Sequence, residues 1–145
     1  MGRIRMKTKL GVAVVAGAIA ATQAVGAPDL FQSLPADARD LDGMRWDKRP
    51  VLLFAPSEDH PDYARQIEML REAQAALAER DIVVLSDLDP RTPSPLRQGF
   101  QPGGFKLVLV GKDGGVKLER DSVLSPDELF AVIDRMPMRM REAAE

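Results

Sequence analysis

Cysteine is absent from all 145 residues, and histidine, tryptophan and tyrosine occur once each. The missing thiol excludes a cysteine nucleophile, a dithiol–disulfide cycle, a disulfide framework, a lipidated cysteine anchor and a cysteine zinc site. With a single histidine, Ser57 has no His and Asp arranged to activate it as in a hydrolase triad. Gly103-Gly104 precedes an apolar, strand-like run rather than a helix, so no glycine-rich phosphate loop is present either. Long hydrophobic runs are also scarce. The most apolar stretch, Leu10 to Ala21, falls short of the ~20 residues that a bilayer span needs.

That stretch has a different use. MGRIRMKTK carries Arg3, Arg5, Lys7 and Lys9 with no acidic residue, and LGVAVVAGAIAATQAVGA then ends in small residues. Basic start, apolar middle and small-residue end are the layout of a secretory signal peptide, read here over residues 1–26, with cleavage expected after Ala24 or Gly26. The expected destination is the periplasm or the exterior, with no stable membrane insertion after cleavage. Four of the 20 basic residues leave with the leader and none of the 22 acidic ones do, so 16 stand against 22 and the mature net charge is −6. Such a surface repels phosphate, which argues against a nucleic-acid partner. About 118 residues remain, enough to fold without metal or disulfide staples.

Residues 27–40 read as a lead-in, with one helical turn expected near Ala36 to Leu41. Residues 41–141 read as one domain. Arg49 to Ala55 and Asp81 to Asp87 are apolar runs of strand length, as in strands covered on both faces. Between them, Tyr63, Ile67, Leu70, Ala73 and Leu77 recur at three and four residues, which predicts a single helix over Pro61 to Arg80. Strand, crossover helix and strand make a right-handed parallel unit. Ser94-Pro95 marks a short helix inside the connection that follows. Phe105 to Gly111 and Val116 to Arg120 are expected as strands joined by a hairpin at Asp113-Gly114. Ser125, Pro126 and Glu128 then form a helix start of capping-box type, with Leu129, Val132, Ile133 and Met136 facing inward. Pro137 is expected to end that helix and leave a loose tail.

This order resembles the thioredoxin fold, and Pro95 to Met136 resembles its carboxy-terminal half almost element for element. RWDKRPVLLFAPSEDHP, LVGKDGGVKL and IDRMPMR more narrowly resemble an uncharacterised family of bacterial exported thioredoxin-like proteins. Its domain is related to the peroxiredoxin-like domains of vertebrate sushi-repeat-containing extracellular proteins. The resemblance implies an α/β, thioredoxin-like (peroxiredoxin-like) single domain with a central mixed sheet flanked by helices. It also places Asp59-His60-Pro61-Asp62 on the positions of the Cys-Gly-Pro-Cys redox pair, with a carboxylate where each sulfur would be. The proline that thioredoxins carry just before the third strand is replaced by Lys106 or a gap.

Three readings attach to SEDHPD. As a helix entrance, Ser57 or Asp59 caps the free amides and Pro61 opens the first turn. As a metal site, Asp59, His60 and Asp62 are the donors, although one histidine and two neighbouring carboxylates seldom close a coordination shell. As an acid–base site, Asp59 and Asp62 pair beside His60. Met136, Met138 and Met140 make a separate candidate, since thioethers suit Cu(I). Tyr63 and Trp46 read as core or rim aromatics. The functional expectation is a non-redox binding or interaction module without a cofactor, whose partner is an unidentified protein or small molecule. Periplasmic copper handling and acid–base catalysis stand as alternatives.

Overall fold

Alternation along the central strands places the core. In β2 (Arg49–Phe54), Val51 and Leu53 point to one face of the sheet while Leu52 and Phe54 point to the other, and all four are fully buried. The same division holds in β3 (Ile82–Asp87), where Val84 joins the first face and Val83 and Leu85 the second. It holds again in β4 (Lys106–Val110), with Leu107 and Leu109 against Val108 and Val110. A side-chain period of two with both faces apolar is what produces uninterrupted hydrophobic runs.

The computed structural model describes residues 29–144, so the leader read over residues 1–26 lies outside the described residues. Five strands form one mixed sheet, in the order β1-β3-β2-β4-β5, where β1 is Phe31–Ser33 and β5 is Val116–Arg120. β1 and β2 run parallel to β3, whereas β4 pairs antiparallel with β2 and with β5. Tyr63, Leu70, Leu77, Leu129 and Ile133 from the helices cover the first face. Leu34, Ala38, Leu41, Met44, Leu96 and Phe100 cover the second. The α/β fold with a central mixed sheet is therefore present as expected, as is the parallel β2–helix–β3 unit.

Several local expectations need correction. The segment read as a lead-in supplies strand β1, and the helical turn is a 3-10 helix at Asp42–Met44 rather than near Ala36 to Leu41. The single helix expected over Pro61 to Arg80 is two, α1 (Pro61–Glu72) and α2 (Gln74–Glu79). Ala73 between them sits at φ −105° and ψ 23° and donates its amide to Leu70 at 3.0 Å. Alanine is the best helix former, so nothing local announces this break; packing of Leu70 and Leu77 into the core overrides propensity. Among the buried residues of α1 is Gln66, whose amide donates to the Leu124 carbonyl at 2.9 Å and accepts from its N–H at 2.8 Å, tying α1 to the loop after β5.

Pro137 does not leave a loose tail. It closes α4 (Pro126–Asp134) and opens α5 (Pro137–Ala144), because proline stops a preceding helix but suits the first position of a new one. The Ser125 cap is as expected, its hydroxyl accepting from the Glu128 amide at 3.2 Å. So is the short helix α3 (Pro95–Phe100), capped by Ser94. In the β4–β5 hairpin Gly114 has φ 86°, where a Cβ would also meet Arg45 at 2.9 Å, so glycine is required. Trp46 is an exposed rim aromatic, and Tyr63 is buried with its hydroxyl donating to Ser86 at 2.9 Å.

Candidate functional site

The carboxyl ends of β2 and β3 and the start of β4 meet at one end of the sheet, since Phe54 is opposite both Asp87 and Lys106. The chain from Phe54 into the first turn of α1 carries Asp59, His60 and Asp62. Asp59 is exposed, while His60 and Asp62 are half-buried. The cap of α1 is His60, not Ser57 or Asp59: its Nδ1 accepts from the Asp62 N–H at 3.3 Å. Pro61 explains the correction, because a proline at the first helical position makes the preceding residue the cap whatever its type. The His60 ring also stacks on Phe105, with centroids 6.5 Å apart and planes 17° from parallel. His60→Ala is therefore expected to lower stability by about 0.5–1 kcal/mol, the low end for a cap joined by a long bond, and Asp59→Ala to stay within about 0.5 kcal/mol of wild type. Denaturant melts of the two variants make the comparison.

His60 and Asp62 border a shallow cleft of about 360 Å³ that continues past Phe105 to Lys106 and Asp121; Asp59 does not line it. Lys106 Nζ sits 3.2 Å from Asp121 and 3.3 Å from Glu119. Burial alone would lower the Lys106 pKa, but the hydrogen bonds to Asp121 and Glu119 outweigh it and hold the ammonium above its ordinary value. Asp59, His60 and Asp62 thus share a short segment, of which two members reach the cleft. Among the described residues no group of three or more His, Asp or Glu side chains is arranged to hold a metal ion.

Beneath this segment lies a buried ion pair that sequence reading passed over. Arg97 of α3 is 6% exposed and Asp87 at the end of β3 is 8% exposed. Arg97 Nη1 donates to Asp87 Oδ1 at 2.7 Å and to the Asp87 carbonyl at 3.0 Å, and Nη2 donates to the Ala55 carbonyl at 3.1 Å. The second oxygen, Asp87 Oδ2, accepts from the Ser94 hydroxyl at 3.0 Å, and Ser94 Oγ accepts from the Arg97 amide at 3.0 Å. Low dielectric and good geometry make such a pair effective only when its remaining donors and acceptors are also satisfied, as they largely are here. The network pins the loop after β3 across the ends of β2 and β3.

The methionine candidate is split by α5. Met136 and Met138 line one cavity at the other end of the sheet, while Met140 is exposed and lies outside it. Residues two apart on a helix point away from each other, which is why Met138 and Met140 do not converge.

Comparison with known proteins bears on this geometry. The model of a family described as a domain of unknown function (DUF4174) matches residues 40–142. The chain belongs to that family. No curated protein matches it. Among solved structures, it is similar to the reduced 2-Cys peroxiredoxin of Plasmodium vivax, at TM-score 0.54 and 16% identity over 70% of this chain and 84% of that one. Thioredoxin peroxidase I of Plasmodium yoelii gives TM-score 0.52 and 16% identity over 70% and 79%. These likenesses show the peroxiredoxin-like thioredoxin fold of this DUF4174 domain, which has no cysteine.

Proposed function

We propose that this DUF4174 protein is exported through its amino-terminal leader and acts in the periplasm as a non-redox binding module. The observation that carries the reading is the state of the end of the sheet where thioredoxins keep their thiols. The thioredoxin resemblance implies that Asp59 and Asp62 occupy the sulfur positions, while His60 Nδ1 is engaged in capping α1 and Arg97 and Asp87 satisfy one another below. On this reading the scaffold is kept without thiol chemistry, and its surface is used for recognition.

Export gives the first test. Expressed with its leader in a Gram-negative host, the protein is expected in the soluble periplasmic fraction with an amino terminus between Val25 and Pro28, read by mass spectrometry. An intact Met1 species held in the inner membrane would overturn the localisation. Among the described residues no helix is long and apolar enough to cross a membrane.

A further inference from the structure

At the end of the sheet remote from His60, a cavity of about 480 Å³ opens between the start of β2, the β4–β5 hairpin and the α4–α5 junction. That is within the size range of small-molecule sites. Its walls divide by chemistry. Val132, Met136 and Met138 make an apolar side, and Arg49, Lys112, Lys117 and Arg135 bring four cations. Arg49 is 1% exposed, and its Nε is buried without an acceptor. Three carboxylates bond to these cations. Glu142 binds Arg49 and Lys112, Asp81 binds Lys112 at 2.8 Å, and Asp113 binds Lys117 at 3.0 Å. Of these carboxylates only Asp113 lines the cavity, and Glu142 is shared with Arg139 at 3.8 Å; of the four lining cations Arg135 alone has no ion-pair partner among the described residues, so one positive charge is left unmatched.

We propose that this cavity binds a small monoanionic amphiphile, an organic carboxylate with a short apolar tail. One surplus cation matches one carboxylate, and a guanidinium at the mouth holds it in a fork of two parallel hydrogen bonds. The tail removes water from Val132, Met136 and Met138, where flexible thioethers adapt to irregular chains. A dianion such as inorganic phosphate exceeds the surplus charge and leaves the apolar wall wet. The inference gives the binding reading a ligand class and rests on it.

Methyl NMR of the mature protein labelled at methionine, titrated with decanoate below its micellar concentration, tests it. Saturable shifts are expected at the Met136 and Met138 methyls, with Met44 and Met140 unmoved. Arg135→Glu, an exposed change expected to leave the thermal melt unaltered, should weaken the apparent Kd by about tenfold or more. Val132→Trp, which fills the apolar side, should abolish the shifts. Absence of saturable shifts would overturn the assignment. So would equal responses to decanol and decyltrimethylammonium, equal responses to inorganic phosphate, or indifference to Arg135→Glu. Peroxide or disulfide turnover by the protein would instead overturn the non-redox reading itself.

Discussion

Asp87→Ala is expected to lower the free energy of unfolding by about 3–5 kcal/mol, the range for removing one member of a buried ion pair. The reason is what remains. Arg97 keeps the Asp87 and Ala55 carbonyls as acceptors, but its charge stays buried with no counterion. Ser94 also loses the carboxylate to which it donates. Arg97→Met alone should cost a similar amount, because Asp87 would then be a carboxylate 8% exposed with no counterion, held only by the Ser94 hydroxyl and the Asp89 amide. The double variant Asp87→Ala, Arg97→Met removes both charges and should cost clearly less than the sum of the two single changes. Denaturant melts of the four proteins complete the cycle. Additive losses would show that the two side chains act independently.

Glu142→Ala should cost about 3 kcal/mol, at the lower end of the same range because Glu142 is partly exposed. Its two oxygens accept from Arg49 at 3.2 Å each, and Oε2 also accepts from Lys112 at 2.8 Å. Without it Arg49 is left with the Arg80 carbonyl alone. Helix α5 then loses a main attachment, since Arg139 is its only buried residue and is itself held by Glu79 at 2.7 Å. The pH dependence follows from the charges. Burial pushes the Glu142 carboxyl up, but hydrogen bonds from Lys112 and Arg49 outweigh it and hold the pKa below the ordinary 4.5. The hydrogen bond from Arg80 likewise holds Asp134 below 3.8. A lowered folded-state pKa gives stability that is full above the unfolded value and is lost as pH falls through the folded one. Lys112 has the opposite sign. Burial lowers its pKa, the hydrogen bonds to Asp81 and Glu142 outweigh that, and its contribution persists until pH rises past 10.5. The stability gap between wild type and Glu142→Gln should therefore be constant near neutrality and shrink below pH 4.5. A gap that persists unchanged into strong acid would exclude the charge of Glu142 as its cause.

The central strands β2, β3 and β4 were readable because both faces of each are covered, so that burial and apolar composition coincide, whereas the largely exposed β5 was readable through the Asp113-Gly114 hairpin that joins it to β4. β1 was not, since three residues at a sheet edge carry too little pattern to register. α5 was hidden by the double meaning of Pro137, and its docking depends on Arg139 and Glu142 rather than on an apolar stripe. The buried polar side chains share that difficulty. Arg49, Gln66 and Arg97 look like surface residues by type, and only tertiary partners distant in sequence show why they are inside. At the α1 entrance, residue preference pointed to Ser57 or Asp59, whereas the position of Pro61 decided for His60. The candidate cleft was legible as a location, through the junction of strand and helix. The cavity at the other end was not, because residues from four separate stretches of chain line it.

Turnover by the purified, leaderless protein is the most direct measurement of whether this thioredoxin-like scaffold has left redox chemistry behind. With hydrogen peroxide or insulin disulfides as substrate and a thiol reductant present, consumption is expected to equal the reductant-only background, and to be the same before and after the protein is heat-inactivated. Cofactor-free, heat-sensitive consumption well above that background, retained through further purification, would contradict a non-redox function for a chain without a single sulfhydryl.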